Sequence, residues 1–503
     1  MPAMLTRNIN LSAVALLSAA LVSLASFSSG NSFTENSQTN FQLFTPLEDL
    51  SNVHDSDFSI LGHPSFPQHS VRIKKSSFCD STVNSYTGYI DIEARHLFFY
   101  FFESRNDPDT DDVIFWTNGG PGCSSSLGLF MELGPCRVED EDGPKFHPES
   151  WNTNANVFFI DQPIGVGFSY AEYGETVDTT EEAARDIAAF VAIFFENFIK
   201  FKGRGFHMAG ESYAGRYLPL FAAAIYDQNR ALVEAGMTPI NLTSVVIGNG
   251  MTDLETMMPS YYDMTCTPAS ISPILDISAC VAMKNIIPRC KKWYREACVD
   301  LYDSINCLAA ISFCYPSLSA SFMASGTNPY DISVPCNGSV ETTSCYPVTL
   351  HINNFLSLPD VRKQLGVDLH PSIPANFSSC SDDVGEMFSV TQDIAHSSKE
   401  YVAALLERGV RVLIYAGSYD WICNWVGNER WSKALEWSGH DEFAAQELRE
   451  WYISGAKAGV TRSAKGGLFT FATVDGAGHM VPYDKPMQSL VLVQRWLAGE
   501  EIG

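Results

Sequence analysis

Positive charge is scarce in this chain of 503 residues. Thirty-two lysines and arginines stand against 58 aspartates and glutamates, a formal net charge of −26 at pH 7. That deficit excludes a nucleic-acid binder, whose affinity rests on Lys and Arg neutralising phosphates. It suits a chain kept soluble by its own charge, and an acidic compartment that neutralises part of it. HExxH is absent, and the eight cysteines between Cys266 and Cys345 have no histidine among them and no common zinc spacing. A metal site of either kind is therefore not expected, nor is an organic cofactor. After the N-terminus no stretch reads as long and apolar enough to span a membrane, and the C-terminal GEEIG is polar. No stable membrane insertion is expected.

What the N-terminus does carry is Arg7, the uncharged run LSAVALLSAALVSL (11–24) and small residues after it. This pattern predicts a secretory signal over 1–25; a membrane anchor is the alternative, and the run is shorter than the roughly 20 residues a spanning helix needs. Thirteen cysteines fit an oxidising compartment, and the odd number leaves at least one unpaired. Asn241 (NLT), Asn337 (NGS) and Asn376 (NFS) match the N-glycosylation pattern. Together these features predict a lumenal protein of the secretory pathway, vacuolar or lysosome-like, or extracellular. Residues 26–75 show little periodicity and end in the basic VRIKKSS, with Lys74 and Lys75. They read as a propeptide, with a disordered arm as the alternative.

The character changes at Tyr86. YTGYIDIEARHLFFYFFESR alternates as paired strands do. DDVIFWTNGG, NVFFIDQP, GFHMAG, SVVIGNG and VRVLIYAG read as buried strands, and 179–198 and SYAGRYLPLFAAAIYDQN as helices. Strands alternating with helices predict a mainly parallel α/β sheet over 76–503. The cysteine-rich, partly helical stretch at about 254–345 reads as a disulfide-stapled insertion into it.

A strand, a tight Gly210-Glu211-Ser212 turn and a helix describe a nucleophile elbow, which presents Ser212 above the sheet edge at the positive end of a helix. The usual Gly-x-Ser-x-Gly is broken here: Ala214 holds the last position and Gly215 follows. A serine nucleophile needs a base and an acid to orient it, in the order Ser, Asp, His for this fold type. Asp420 follows a strand in YAGSYDWICNW, and His479 lies in the glycine-flanked loop of VDGAGHMVPYDKP. His207, inside the strand before the elbow, reads as a satisfied core residue. Oxyanion donors are expected from the backbone of Tyr213 and of the loop WTNGGPGCSS, at Gly120. A phosphate-binding reading of that loop is weaker, because it lacks Gly-Lys-Ser/Thr and the Gly-x-Gly-x-x-Gly spacing.

WTNGGPGCSS, FIDQPIGVGFSY, GESYAGRY, VIGNGMTD, LIYAGSYDWICNWVGN and DGAGHMVPYDKP together resemble the serine carboxypeptidase family, most of all its vacuolar carboxypeptidase Y type and plant relatives. The resemblance runs from about Tyr86 to near the C-terminus. It implies an α/β-hydrolase fold and the triad Ser212, Asp420 and His479. Asn118, Gly119, Glu132 and Glu211, with Trp116 in the same network, are implied to hold a substrate's terminal carboxylate; for Glu132 the alternative is a surface helix residue. Met131, Met251, Tyr261, Cys423 and Met480 are implied to line side-chain pockets. Met258 stands where the carboxypeptidase Y type has tyrosine. The implied disulfides are Cys123–Cys380, Cys266–Cys280, Cys290–Cys314, Cys298–Cys307 and Cys336–Cys345, with Cys423 a buried free thiol. Cys79 and Cys136 depart from the pattern and are left to pair with each other. The expected activity is release of C-terminal amino acids, hydrophobic by preference, from peptides and proteins at acidic pH through an acyl-enzyme. An esterase or acyltransferase on the same scaffold and an inactive binding homologue are the rivals.

Overall fold

The computed structural model describes residues 46–503, positions 48, 56, 64 and 65 excepted. The expected signal over 1–25 and the expected propeptide up to residue 45 lie outside the described residues. A thirteen-stranded sheet organises the rest. Its strands are β1 (Ser59–Gly62), β2 (His69–Lys75), β3 (Ser85–Ile92), β4 (Arg95–Phe102), β5 (Val113–Thr117), β6 (Asn156–Ile160), β7 (Phe206–Ser212), β8 (Leu242–Gly250), β9 (Arg411–Gly417), β10 (Arg449–Ile453), β11 (Ala456–Ala464) and β12 (Phe469–Val474). The thirteenth, Tyr170–Ala171, pairs only beside β4. The order across the sheet is β1-β2-β3-β4-β6-β5-β7-β8-β9-β12-β11-β10. The six strands from β6 to β12 in that order run parallel, and antiparallel strands extend the sheet at both edges.

The parallel strands are almost wholly buried, as strands covered on both faces must be. Successive side chains alternate between two apolar layers. Val113, Phe115, Val245 and Ile247 join one; Ile114, Trp116, Val246 and Tyr415 join the other. Helices α1 (Thr180–Asn197) and α2 (Ala214–Glu234) cover the first layer. Thr179 caps α1 by accepting from Glu182 N, and Glu181 and Glu182 in the first turn complement the helix dipole.

Two expectations need correction. Residues 59–75 are not irregular: β2 pairs along its length with β3, from His69 opposite Ile92 to Lys75 opposite Tyr86. Val71 and Ile73 are fully buried there, so two alternating inward positions suffice to seat a strand too short to read from periodicity. The sheet thus begins before residue 76. The second correction concerns the expectation that no stretch after the N-terminus is long and apolar enough to span a membrane, and it falls among α3 (Leu254–Cys266), α4 (Ile277–Tyr294) and α5 (Ser304–Met323). Helix α5 is long and apolar enough to cross a membrane by length and composition, and only a third of its most apolar window is buried. Its inward side, with Cys307, Cys314 and Phe322, belongs to a third apolar cluster that also contains Trp421 and Cys423.

Candidate active site

β7 ends on Ser212, whose φ of 64° lies in the left-handed region. A non-glycine residue held there is strained, and such strain gathers at functional turns. The turn leaves no room for larger neighbours. A Cβ on Gly210 would stand 2.3 Å from Thr117 O and 2.8 Å from the Ala214 Cβ. One on Gly215 would stand 2.6 Å from Met251 N. The broken motif is thereby explained: Ala214 fits because Gly210 faces it, and the second glycine is required at 215, where α2 crosses the end of β8.

Asp420 follows β9 and is fully buried. Its Oδ1 accepts from Ile422 N at 3.0 Å. Its Oδ2 accepts from Cys423 N at 3.2 Å and Asn249 Nδ2 at 2.8 Å, and it meets His479 Nδ1 at 2.9 Å. Because a carboxylate only accepts, Nδ1 carries the proton and Nε2 is the basic nitrogen. His479 is itself fixed from behind. Its backbone N donates to Tyr330 O at 2.7 Å, Tyr330 packs edge-on to its ring at 5.2 Å, and Gly478 N donates to Asp484 Oδ2 at 2.7 Å. Cys423 Sγ lies within 4.8 Å of ligand atoms on Asp420 and His479. Burial and the Asp420 charge push its thiol well above the ordinary range, partly offset by a hydrogen bond with Ser212. Asp420 and His479 are thus bonded to each other, and Cys423 between them connects to Ser212.

The glycine-rich loop after β5 lies directly on the elbow. A Cβ on Gly119 would be 2.3 Å from Tyr213 N and 2.7 Å from Ser212 Cβ. Cys123–Cys380 ties down the far side of this loop.

Beside Ser212 lies a buried carboxyl pair. Trp116 Nε1 and Gly128 N both donate to Asn118 Oδ1, at 2.8 and 2.9 Å. That fixes the amide, so Asn118 Nδ2 must face outward, and it donates to Glu132 Oε1 and Glu211 Oε1 at 3.1 Å each. Glu132 is completely buried, which rules out a surface role, and Glu211 is nearly so. The second oxygens, Glu132 Oε2 and Glu211 Oε2, receive no donor from another described residue. Burial raises both pKa values, and the neighbouring Glu132 charge pushes Glu211 well above the usual carboxyl range. The two carboxyls interact strongly enough to titrate as a pair, and burial favours one proton kept on the pair.

Met131, Met258, Tyr261, Cys423 and Met480 are buried, and Met251 is partly so. Met251 N donates to Ser212 O at 2.9 Å. Tyr261 stacks on Trp421 at 4.2 Å and donates its hydroxyl to Ile422 O. His207 is a satisfied residue, its ring between Ser244 Oγ and Asp112. Six disulfides form: Cys79–Cys136, Cys123–Cys380, Cys266–Cys280, Cys290–Cys314, Cys298–Cys307 and Cys336–Cys345. Cys423 is free.

Four residues at the site escape sequence reasoning: Asn249, Tyr330, Asp484 and Asp393. Asp393 Oδ2 accepts the Tyr213 hydroxyl at 2.8 Å and Thr180 Oγ1 at 2.6 Å, and Oδ1 accepts from Arg216 at 3.2 Å. Asn249 and Asp484 lie within VIGNGMTD and DGAGHMVPYDKP, which do not show what they bond, and Tyr330 and Asp393 lie in none of the motifs.

The serine carboxypeptidase family model matches residues 77–499. The chain belongs to the serine carboxypeptidase family. It is thereby a hydrolase of the serine carboxypeptidase type. It is 41% identical over 438 residues to carboxypeptidase Y of Candida albicans, covering 86% of this chain and 77% of that one. Carboxypeptidase Y homolog A of Talaromyces marneffei is 42% identical over 428 residues, with 84% and 73% covered. Among solved structures, Kex1(delta)p, a prohormone-processing carboxypeptidase from Saccharomyces cerevisiae, superposes with a TM-score of 0.66 at 24% identity. It covers 88% of this chain and 96% of its own, and the match fixes the α/β fold.

Proposed function

We propose that this enzyme removes C-terminal amino acids from peptides and proteins at acidic pH, with Ser212, His479 and Asp420 as its triad. Ser212 Oγ attacks the last peptide carbonyl and passes its proton to His479 Nε2, and Asp420 steadies the imidazolium. The backbone N–H groups of Gly120 and Tyr213 receive the developing oxyanion. His479 then protonates the leaving amine, and the Ser212 ester formed is hydrolysed by water. No organic cofactor or metal takes part in these steps.

The observation that carries this reading is the buried group of Asn118, Glu132 and Glu211 beside the elbow. A protonated carboxyl can donate to a substrate carboxylate; an ionised pair would repel it. With Gly119 and Trp116 in the same network, the group is a clamp for a free C-terminus. An esterase or acyltransferase has no carboxylate to hold there, and an inactive homologue has no need of the oriented triad. The buried methionines and Tyr261 favour apolar side chains on both sides of the scissile bond. Asn241, Asn337 and Asn376 are exposed, which suits N-glycosylation. With the signal at 1–25, the propeptide over 26–75 and the disulfides, this supports a secretory route to a vacuole-like or extracellular site.

Mass spectrometry of one unstructured peptide, with a free or an amidated C-terminus, tests the reading at mildly acidic pH. Stepwise trimming of the free form alone is expected. Internal cleavage, or turnover of a simple ester with neither peptide touched, overturns it.

A further inference from the structure

Apolar side chains that face solvent are concentrated in one place. Among the described residues, ten of the 23 exposed large hydrophobic ones fall within 277–323, about a tenth of those residues. Helix α5 carries no charged residue over its 20 positions. It exposes Ile305 at 82%, Leu308 at 49% and Met323 at 40%. Yet α5 cannot leave the protein to cross a bilayer. Cys290–Cys314 and Cys298–Cys307 hold it, and its inward side is built into the insertion core. The exposed side is therefore fixed in place, facing outward.

Its neighbour carries the opposite speciality. From Ile277 to Arg295 the chain bears Lys284, Arg289, Lys291, Lys292 and Arg295 and no acidic residue, while the remaining 27 basic residues face all 58 acidic ones. Lys292 and Arg295 reach carboxylates on Glu296 and Glu255. Lys284, Arg289 and Lys291 have no carboxylate at ion-pair distance among the described residues. Arg289 lies over the Phe313 ring of α5 at 4.5 Å, so basic and apolar parts are continuous.

We propose that α4 and α5 form a peripheral docking surface for an anionic lipid bilayer. Lipid headgroups of negative charge attract the α4 cations, and the α5 side chains enter the headgroup boundary. The combination selects lipid over a soluble polyanion, which would use the cations and leave the apolar face idle. The strongly acidic remainder of the protein is repelled by such a membrane, so the enzyme meets it in this one orientation. This is contact with a surface and involves no spanning segment. It does not depend on the catalytic reading.

The test is co-sedimentation of the whole enzyme with phosphatidylcholine vesicles, with and without about one-third phosphatidylserine, near physiological salt. The enzyme is expected to pellet with the anionic vesicles and stay in solution with the neutral ones. Lys284→Gln, Arg289→Gln and Lys291→Gln together should weaken binding by about tenfold or more, with hydrolysis of a soluble peptide unchanged as proof of folding. Ile305→Ser with Leu308→Ser should weaken it independently. Lys363→Gln with Lys465→Gln, both exposed and outside the insertion, should leave it intact. Equal pelleting with neutral vesicles, no pelleting at all, or binding to heparin but not to vesicles would each overturn the proposal.

Discussion

Glu132 and Glu211 take their hydrogen bonds from one atom, Asn118 Nδ2, at the same distance of 3.1 Å. Two buried carboxyls served by one donor hold a proton that exposed ones would lose. The Glu211 pKa is raised, so its proton is present at acidic pH and leaves as the pH climbs through that raised value. KM for a free-acid peptide should therefore rise with pH, by about 10-fold or more once the pair ionises, the worth of a charge-assisted hydrogen bond. Glu211→Gln keeps a donor at every pH and should flatten that rise. Identical pH profiles of KM for the two enzymes would sink the shared-proton account.

The glycine-rich loop touches the elbow too closely for any side chain at position 119. Gly119→Ala would place a methyl 2.3 Å from Tyr213 N. Backbone must move there, and the loop bearing Gly120 moves with it. A loss of about 100-fold or more in kcat is expected, the scale of a lost oxyanion donor, together with a lowered melting temperature from the clash. Steady-state kinetics beside a melting curve decide this; retention of kcat within a few-fold would place the oxyanion donors elsewhere.

Asp393 is a positioning residue for Tyr213. Tyr213→Phe removes only the hydroxyl that Asp393 accepts. The backbone N–H of Tyr213 then loses its lateral anchor. The expected result is a kcat reduced by about 3- to 10-fold with KM unchanged, since geometry at the reacting carbonyl is what slackens. A change confined to KM would assign the tyrosine to substrate binding alone.

Acid should stabilise the fold. Burial raises Asp161 to about 7, Asp186 to about 6 and Asp484 to about 7, from an ordinary 3.8. The folded state thus holds extra protons between those values, and stability falls as pH rises through about 6 to 7. His147, lowered by burial to about 4 from 6.5, acts the other way below about pH 6.5. Glu132 and Glu211, also raised, join the first set, and His63 and His69, also lowered by burial, join the second. With five carboxyls against three histidines, the melting temperature at pH 5 should exceed that at pH 7.5 by roughly 3 °C or more. A higher melting temperature at pH 7.5 would contradict these proton positions.

Much of this site was legible because its signals are local. Gly210 and Ser212 are two residues apart, and the turn they make depends on little else. The glycine at 120 and the loop around His479 are likewise read from their own neighbours. Asn249 was not legible: it orients Asp420 across 171 residues of sequence. Asp393 reaches Tyr213 across 180. Such partners are chosen by packing of the whole sheet: VIGNGMTD contains Asn249 without showing what it bonds, and Asp393 stands in none of the motifs. β2 was missed because a strand of seven residues with two buried apolar positions carries too few repeats to register. The exposed side of α5 was hidden by the reverse effect: a helix apolar on all sides has no period from which its outward face can be read.

β2 gives covalent continuity and cohesion different meanings. Arg72 within it is forked between Asp91 and Asp368, with bonds of 2.7–3.0 Å, and β1 and β3 flank it. A protease cutting the expected boundary after Lys75 would sever one peptide bond and leave this lattice whole. The released piece would then behave as a tightly held ligand of its own former chain. Its departure would be an equilibrium set by dilution, by salt acting on Arg72, and by whatever else competes for the open edge of β3.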